Sequence, residues 1–218
     1  MKILLCDDHA VVRQGYASLL SAMLDECEII EAENGWETVS LWQQHMPDAV
    51  ILDINLPDIS GIETARRILQ RDSKARVLFF SMYDELPMVQ QALNAGALGY
   101  ITKSSSPEVL LDAVRKVLSG QPYVEHDLAT RLALQRNNGM DPRLSGMTQR
   151  EFEIFVMLAR GLTPKAISEQ LCISVKTVSN HSALLKNKLQ VSSTAELVHL
   201  AIECGVLRLG PAGEARAV

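Results

Sequence analysis

The sequence predicts an α/β domain on a parallel sheet of flavodoxin-like order 2-1-3-4-5, followed by an all-α domain containing a helix-turn-helix. Three observations carry this prediction. Short apolar runs alternate five times with helical-period segments over about the first 120 residues. From Thr148 onward every segment has helical spacing and opens on a capping residue. The charge also divides: residues 1–120 hold 10 Lys and Arg against 17 Asp and Glu, and residues 121–218 hold 11 against 9. The net of −7 against +2 suits two domains with different partners.

The first strand is Lys2-Ile3-Leu4-Leu5-Cys6, ending on Asp7-Asp8, and Val12, Tyr16, Leu19, Leu20 and Met23 mark the helix after it. Glu28 to Ala32 is the second strand, and Gly35 to Gln44 the second helix. Ala49-Val50-Ile51-Leu52 runs unbroken into Asp53, and the turn residues Asn55, Pro57, Asp58 and Gly61 follow at once. Such a run suits a strand buried on both faces. Ile62, Ala65, Ile68 and Leu69 give the third helix, Val77 to Ser81 the fourth strand, and Leu86 to Asn94 the fourth helix. Leu98 to Lys103 is the fifth strand, and Ser106-Pro107 caps a helix through Leu118.

Residues 121–147 read as a linker with a short helix near His126–Arg136, and with Asn137-Asn138-Gly139 and Asp141-Pro142 as flexible stretches. Residues 148–209 form the helical domain. Thr148 to Glu151 and Ser193 to Glu196 are capping boxes, while Thr163-Pro164 and Ser174 open the two helices between them. Residues 210–218 read as a frayed tail.

Apolar residues make up 47% and charged residues 22%, an ordinary globular balance. No run is long enough to span a bilayer, and a strand beginning right after Lys2 argues against a signal peptide. Cys6, Cys27, Cys172 and Cys204 show no CxxC pair or metal spacing, so they read as reduced thiols of a cytoplasmic protein.

Parallel α/β sheets place their sites at the carboxyl ends of the strands, and the switch point of this order lies between strands one and three. Those strands deliver Asp7, Asp8 and Asp53, three carboxylates whose mutual repulsion a bound Mg²⁺ relieves. The fourth and fifth strands end in Ser81 and Lys103, a hydroxyl and a cation suited to phosphoryl oxygens. Each residue alone reads as turn or surface chemistry. Jointly, nucleophile, charge neutraliser and oxygen ligands make a phosphoryl-accepting site.

In the helical domain, Val175, Val178, Leu185 and Leu189 form an inward stripe on the third helix. Lys176, Ser179, Asn180, Ala183 and Asn187 fall on the other face, which suits insertion in a major groove. Lys165, Lys186 and Lys188 are candidate phosphate contacts, and the open alternative is a protein-binding module with an ordinary polar face.

Residues 2–120 resemble the receiver domain of two-component response regulators through Asp7-Asp8, Asp53 with Pro57 and Gly61, Ser81, and Tyr100 with Lys103. Residues 148–207 resemble the LuxR-type DNA-binding domain through Glu151, Leu158, Gly161, Ile167, Leu171, Ser174, Lys176-Thr177-Val178, His181, Lys188-Leu189 and Val191. Together they resemble the NarL/FixJ class. The resemblance implies that Asp53 takes a phosphoryl group from a histidine kinase. Asp8, Asp53 and the backbone carbonyl of Asn55 then ligate Mg²⁺, Asp7 helps through water, and Ser81 and Tyr100 reorient as a switch. It also implies double-stranded DNA as partner, bound by a homodimer with Lys176, Thr177, Ser179, Asn180, Ala183, Lys186 and Lys188 at the interface, and no enzyme activity. Ser179 stands where that family often has lysine, Gln190 replaces a frequent glycine, Ala183 is uncharged and Cys172 is unusual beside the turn. His181 is expected to be partly buried and hydrogen-bonded. A Mg²⁺-dependent phosphohydrolase is the enzymatic alternative, and Asn55 argues against it, because an acid–base carboxylate is needed two residues after the nucleophile.

Overall fold

The structure, a computed structural model, describes residues 1–135, 142–145, 147–171, 173–209 and 215–217. The stretches Asn137-Asn138-Gly139 and Asp141, Cys172, and tail residues 210–214 and 218 lie outside the described residues. The chain divides into two compact units, Met1–Asp84 with Val89–Thr130, and Glu85–Met88 with Arg131–Val218.

Over residues 2–118 the chain alternates β1 (Lys2–Cys6), α1 (Ala10–Met23), β2 (Glu28–Ala32), α2 (Gly35–His45), β3 (Ala49–Leu52), α3 (Gly61–Arg71), β4 (Val77–Ser81), α4 (Leu86–Asn94), β5 (Gly99–Thr102) and α5 (Pro107–Leu118). With β6 at Tyr123–Val124, all six strands pair parallel in the order β2-β1-β3-β4-β5-β6. The expected five-strand order is present with one strand added at its edge. This is β6 (Tyr123–Val124), which pairs with Gly99 and Tyr100 of β5 inside the stretch expected to be linker. After it comes α6 (His126–Gln135).

Alternation along each strand builds two cores, because successive side chains point to opposite faces. Ile3, Leu5, Ala49, Ile51, Leu78, Phe80 and Ile101 form one cluster with Ala17 and Leu20 of α1 and Leu110, Val114 and Val117 of α5. On α1 the inward residues are Arg13, Ala17 and Leu20, whereas Met23, expected inward, is 51% exposed. Ser106 holds the N-cap backbone position of α5 without a side-chain cap bond, so Pro107 at the first turn supplies the start signal there.

The helical unit contains α7 (Pro142–Ser145), α8 (Gln149–Ala159), α9 (Pro164–Gln170), α10 (Val175–Leu189) and α11 (Thr194–Glu203). Thr148 and Glu151 form the expected reciprocal capping box. At Ser193 only half of the expected box forms: Ser193 caps Glu196 N–H, but the Glu196 carboxylate accepts from Ser192 N–H (2.7 Å) and Ser192 Oγ (2.8 Å) instead. Within the expected frayed tail, β8 (Ala215–Ala217) pairs antiparallel with β7 (Leu207–Leu209).

Candidate functional site

The sheet register brings the strand ends together. Cys6 pairs with Leu52, and Asp53 N–H donates to Cys6 O (3.0 Å), so Asp7 and Asp53 leave adjacent strands side by side. Ser81 pairs with Thr102, and Lys103 N–H donates to Ser81 O (2.8 Å). Gly61 closes the other side of the Asp53 turn. A Cβ built there would lie 2.0 Å from Asp53 O, a backbone atom, so only glycine lets α3 start this close.

Lys103 Nζ lies 2.5 Å from Asp53 Oδ2 and 2.6 Å from Asp7 Oδ2, with all three side chains buried. Burial raises the Asp53 pKa, and Lys103 opposes the rise without cancelling it. Burial alone favours neutral Lys103, but the Asp53 and Asp7 carboxylates outweigh it and raise its pKa. Lys103 is therefore a cation at neutral pH. Two further atoms stand out: Asp8 Oδ1 and Ser81 Oγ are buried with no aligned hydrogen-bond partner. Both atoms keep hydrogen-bonding capacity to spare: Ser81 acts only weakly on Asp53, and Asp8 Oδ1 meets His9 Nδ1 without an aligned bond. A carboxylate oxygen beside Asp7 suits a hard dication, and a hydroxyl at the end of β4 suits a phosphoryl oxygen, so the donor set fits both. Tyr100 is fully buried, and its hydroxyl donates to Tyr83 O at 2.6 Å, two residues beyond Ser81.

Among the described residues, the cluster with three ligand atoms within 4.8 Å of one another is Asp7, Asp8 and His9, without Asp53. Asn55 is half-buried, and its N–H lies 3.4 Å from Asp53 Oδ1.

On α10, Lys176, Ser179, Asn180, Ala183 and Asn187 are all exposed, as expected of an outward face. Val178, Leu185 and Leu189 are buried, but Val175 is 46% exposed and joins the outer face instead of the inward stripe. Ser179 Oγ is spent on Val175 O (3.0 Å), and Thr177 is half-buried under the Ser174 cap. Lys186 is half-buried and Lys165 exposed. Lys188, a candidate DNA-phosphate contact, is exposed and pairs with Glu151 at 2.7 Å. His181 is half-buried, as expected, and its Nδ1 has no hydrogen-bond partner among the described residues. Gln190 ends α10 with φ of 55°, the left-handed position that glycine fills without strain.

Residues 3–115 match the family model described as response regulator receiver domain, and residues 145–201 match that of bacterial regulatory proteins of the luxR family. The chain is 53% identical over 212 residues to the transcriptional activator protein ExaE of Pseudomonas putida, covering 96% of this chain and 99% of that one. The chain belongs to the LuxR-family response regulators. It is also 31% identical to the response regulator UvrY of Escherichia coli K12, over 94% of this chain and 95% of the relative. Among solved structures, a LuxR-family two-component response regulator from Aurantimonas sp. SI85-9A1 superposes with a TM-score of 0.60 at 38% identity, covering 62% of this chain and 96% of that one.

As a response regulator the chain joins a receiver domain to a LuxR-type DNA-binding domain, a transcriptional regulator and not an enzyme. The phosphohydrolase alternative falls with that membership. The sequence reading of this response regulator missed two residues. His9 follows the Asp pair directly, and that adjacency was its signal. Arg13 is 5% exposed on the inward stripe of α1, where it donates to Asp7 O (2.6 Å), Glu31 (3.1 Å) and Glu33 (3.0 Å). Its signal was a cation at the same helical face as Ala17 and Leu20.

Proposed function

We propose that Asp53 accepts a phosphoryl group from the phosphohistidine of a sensor histidine kinase, and that this modification controls sequence-specific binding of the helical unit to promoter DNA. The observation that carries the reading is Lys103 held between the Asp53 and Asp7 carboxylates, with the buried Ser81 hydroxyl at the end of the neighbouring strand. A carboxylate oxygen of Asp53 attacks phosphorus; the new O–P bond forms as the N–P bond to the kinase imidazole breaks. Lys103 neutralises charge on the arriving phosphoryl oxygens, and Ser81 Oγ donates to one of them. Asp8, Asp53 and the Asn55 carbonyl would hold Mg²⁺ with help from Asp7, and the ion would supply further charge neutralisation there.

The added group carries about −1.5 to −2 charge, enough to draw Ser81 toward it. Ser81 sits two residues before Tyr83, whose carbonyl holds the Tyr100 hydroxyl, so the switch pair is linked through one short segment. On DNA, α10 enters the major groove with Lys176, Thr177, Ser179, Asn180 and Ala183 toward the bases and Lys186 toward phosphate. Two copies bind symmetric half-sites, because one short helix reads too little sequence. The protein acts in the cytoplasm: Cys6 and Cys27 are free thiols, the state a reducing compartment maintains. No helix among the described residues is long and apolar enough to cross a membrane.

The test is binding to promoter fragments with and without acetyl phosphate, with Asp53→Asn as control. The reading expects phosphorylation to tighten binding in wild type alone, with a steep salt dependence. Absence of salt-dependent binding in both states contradicts it and favours a protein partner for the helical unit.

A further inference from the structure

The Asp7-Asp8-His9 turn has a donor set that carboxylates alone do not explain. His9 Nδ1 lies 2.7 Å from Asp8 Oδ1 and 3.4 Å from Asp7 Oδ1. Yet Asp8 Oδ1 is buried without a hydrogen-bond partner, so the short approach lies off the axis that an imidazole N–H···O bond requires. The two ligand atoms therefore lie side by side with no hydrogen bond aligned between them. An off-axis oxygen is what chelation demands, since the ion itself occupies the nitrogen's lone-pair direction. Ligand atoms about 2.0–2.2 Å from one ion, in tetrahedral or octahedral arrangement, stand roughly 3 Å apart. The observed spacings bracket that distance.

The backbone holds the arrangement in place. His9 N–H donates to Asp7 Oδ1 at 2.9 Å, and α1 begins at the next residue. Arg13, one turn into α1, donates to Asp7 O at 2.6 Å and braces the turn from below. The His9 side chain is 62% exposed, so an ion reaches it from solvent.

We propose that His9 is a metal ligand beside Asp7 and Asp8, making this pocket a mixed nitrogen–oxygen site that takes first-row transition dications more tightly than Mg²⁺. The inference rests on the reading of the acidic pocket as a dication site. An imidazole adds little for Mg²⁺, which prefers oxygen and keeps its waters. For Mn²⁺ through Ni²⁺ and Zn²⁺ it adds a ligand that those ions favour. Such an ion recruits Asp7 and Asp8 toward His9, on the side of the pocket that the three-residue cluster defines without Asp53.

The full-length protein, stripped of metal, is titrated with Mg²⁺ and with Ni²⁺ by calorimetry, counting only the Ni²⁺ that excess Mg²⁺ displaces. His9→Ala is expected to weaken Ni²⁺ binding about tenfold or more while Mg²⁺ affinity changes by less than about twofold. The visible spectrum of the Co²⁺-loaded protein is expected to change in both His9→Ala and His9→Gln, which checks ligand loss independently of any disturbance by one variant. Equal changes for both ions, or none for Ni²⁺, overturn the inference and leave the dication site standing. Failure of wild type to bind either ion overturns both.

Discussion

Lys103 Nζ stands 2.5 Å from Asp53 Oδ2, and the two side chains are only 7% and 5% exposed. Nearly dry ion pairs of this kind tolerate the loss of one partner poorly, because the other is stranded. Here Asp7 shares the same ammonium at 2.6 Å, so one cation serves two buried carboxylates.

Lys103→Ala strands both. It is expected to destabilise the first unit by about 3–5 kcal/mol at neutral pH. The sign of its pH dependence follows from Asp53, whose folded pKa is raised by burial above its unfolded value. Stability from a raised carboxylate is present below the unfolded pKa and lost as pH rises through the folded one. Lys103 holds that pKa down, so the deficit of Lys103→Ala relative to wild type shrinks on acidification from neutral pH toward about pH 4, as Asp53 takes up its proton. Urea denaturation of both proteins at the two pH values checks this.

Gly61→Ala drives a methyl group to 2.0 Å from Asp53 O, and the neighbour is backbone that cannot rotate away. A loss of about 1–3 kcal/mol or more is expected from overpacking. Phosphoryl transfer to Asp53 should slow as well, since the turn carrying it must shift. Stopped-flow labelling with acetyl phosphate, beside a melting curve, separates the two effects.

Gln190→Gly should stabilise the helical unit. The residue sits at φ of 55° at the end of α10, a conformation costing a non-glycine residue about 1–2 kcal/mol. Part of the gain is lost to the freer unfolded chain, so a net of about 1 kcal/mol is expected, read as a higher Tm.

Lys176→Ala and Lys188→Ala should behave differently on DNA. Lys176 is exposed on the outer face of α10, and its loss should reduce the salt slope of binding by about 1. Lys188 is held by Glu151 at 2.7 Å, so its loss should lower the Tm more than the salt slope. Asn180→Ala should cost about 1–3 kcal/mol and relax preference at one base pair per half-site, the effect of removing an amide that reads adenine. Titrations over a salt series and a panel of substituted half-sites distinguish the three.

Much of this was legible in the sequence, for a local reason. Four strands of the first unit, β1, β3, β4 and β5, are apolar runs that stop at a residue of distinctive chemistry, so run and strand end coincide at Asp7, Asp53, Ser81 and Lys103. What escaped depends on partners far along the chain. Tyr123–Val124 is too short to carry a period, and only pairing with Gly99 and Tyr100 makes it a strand. Arg13 reads as a surface charge until Glu31 and Glu33 are brought beside it. Lys188 matches a phosphate contact by position, and its commitment to Glu151, 37 residues earlier, is a tertiary fact. His9 was adjacent to the pocket from the start, but its ring direction is set by the turn into α1.

The most direct test of the account is the mass of the intact protein after incubation with acetyl phosphate and Mg²⁺, with Asp53→Ala alongside. The account predicts a gain of one phosphoryl group in wild type and none in the variant. No gain in wild type, or a gain that survives Asp53→Ala, would contradict it.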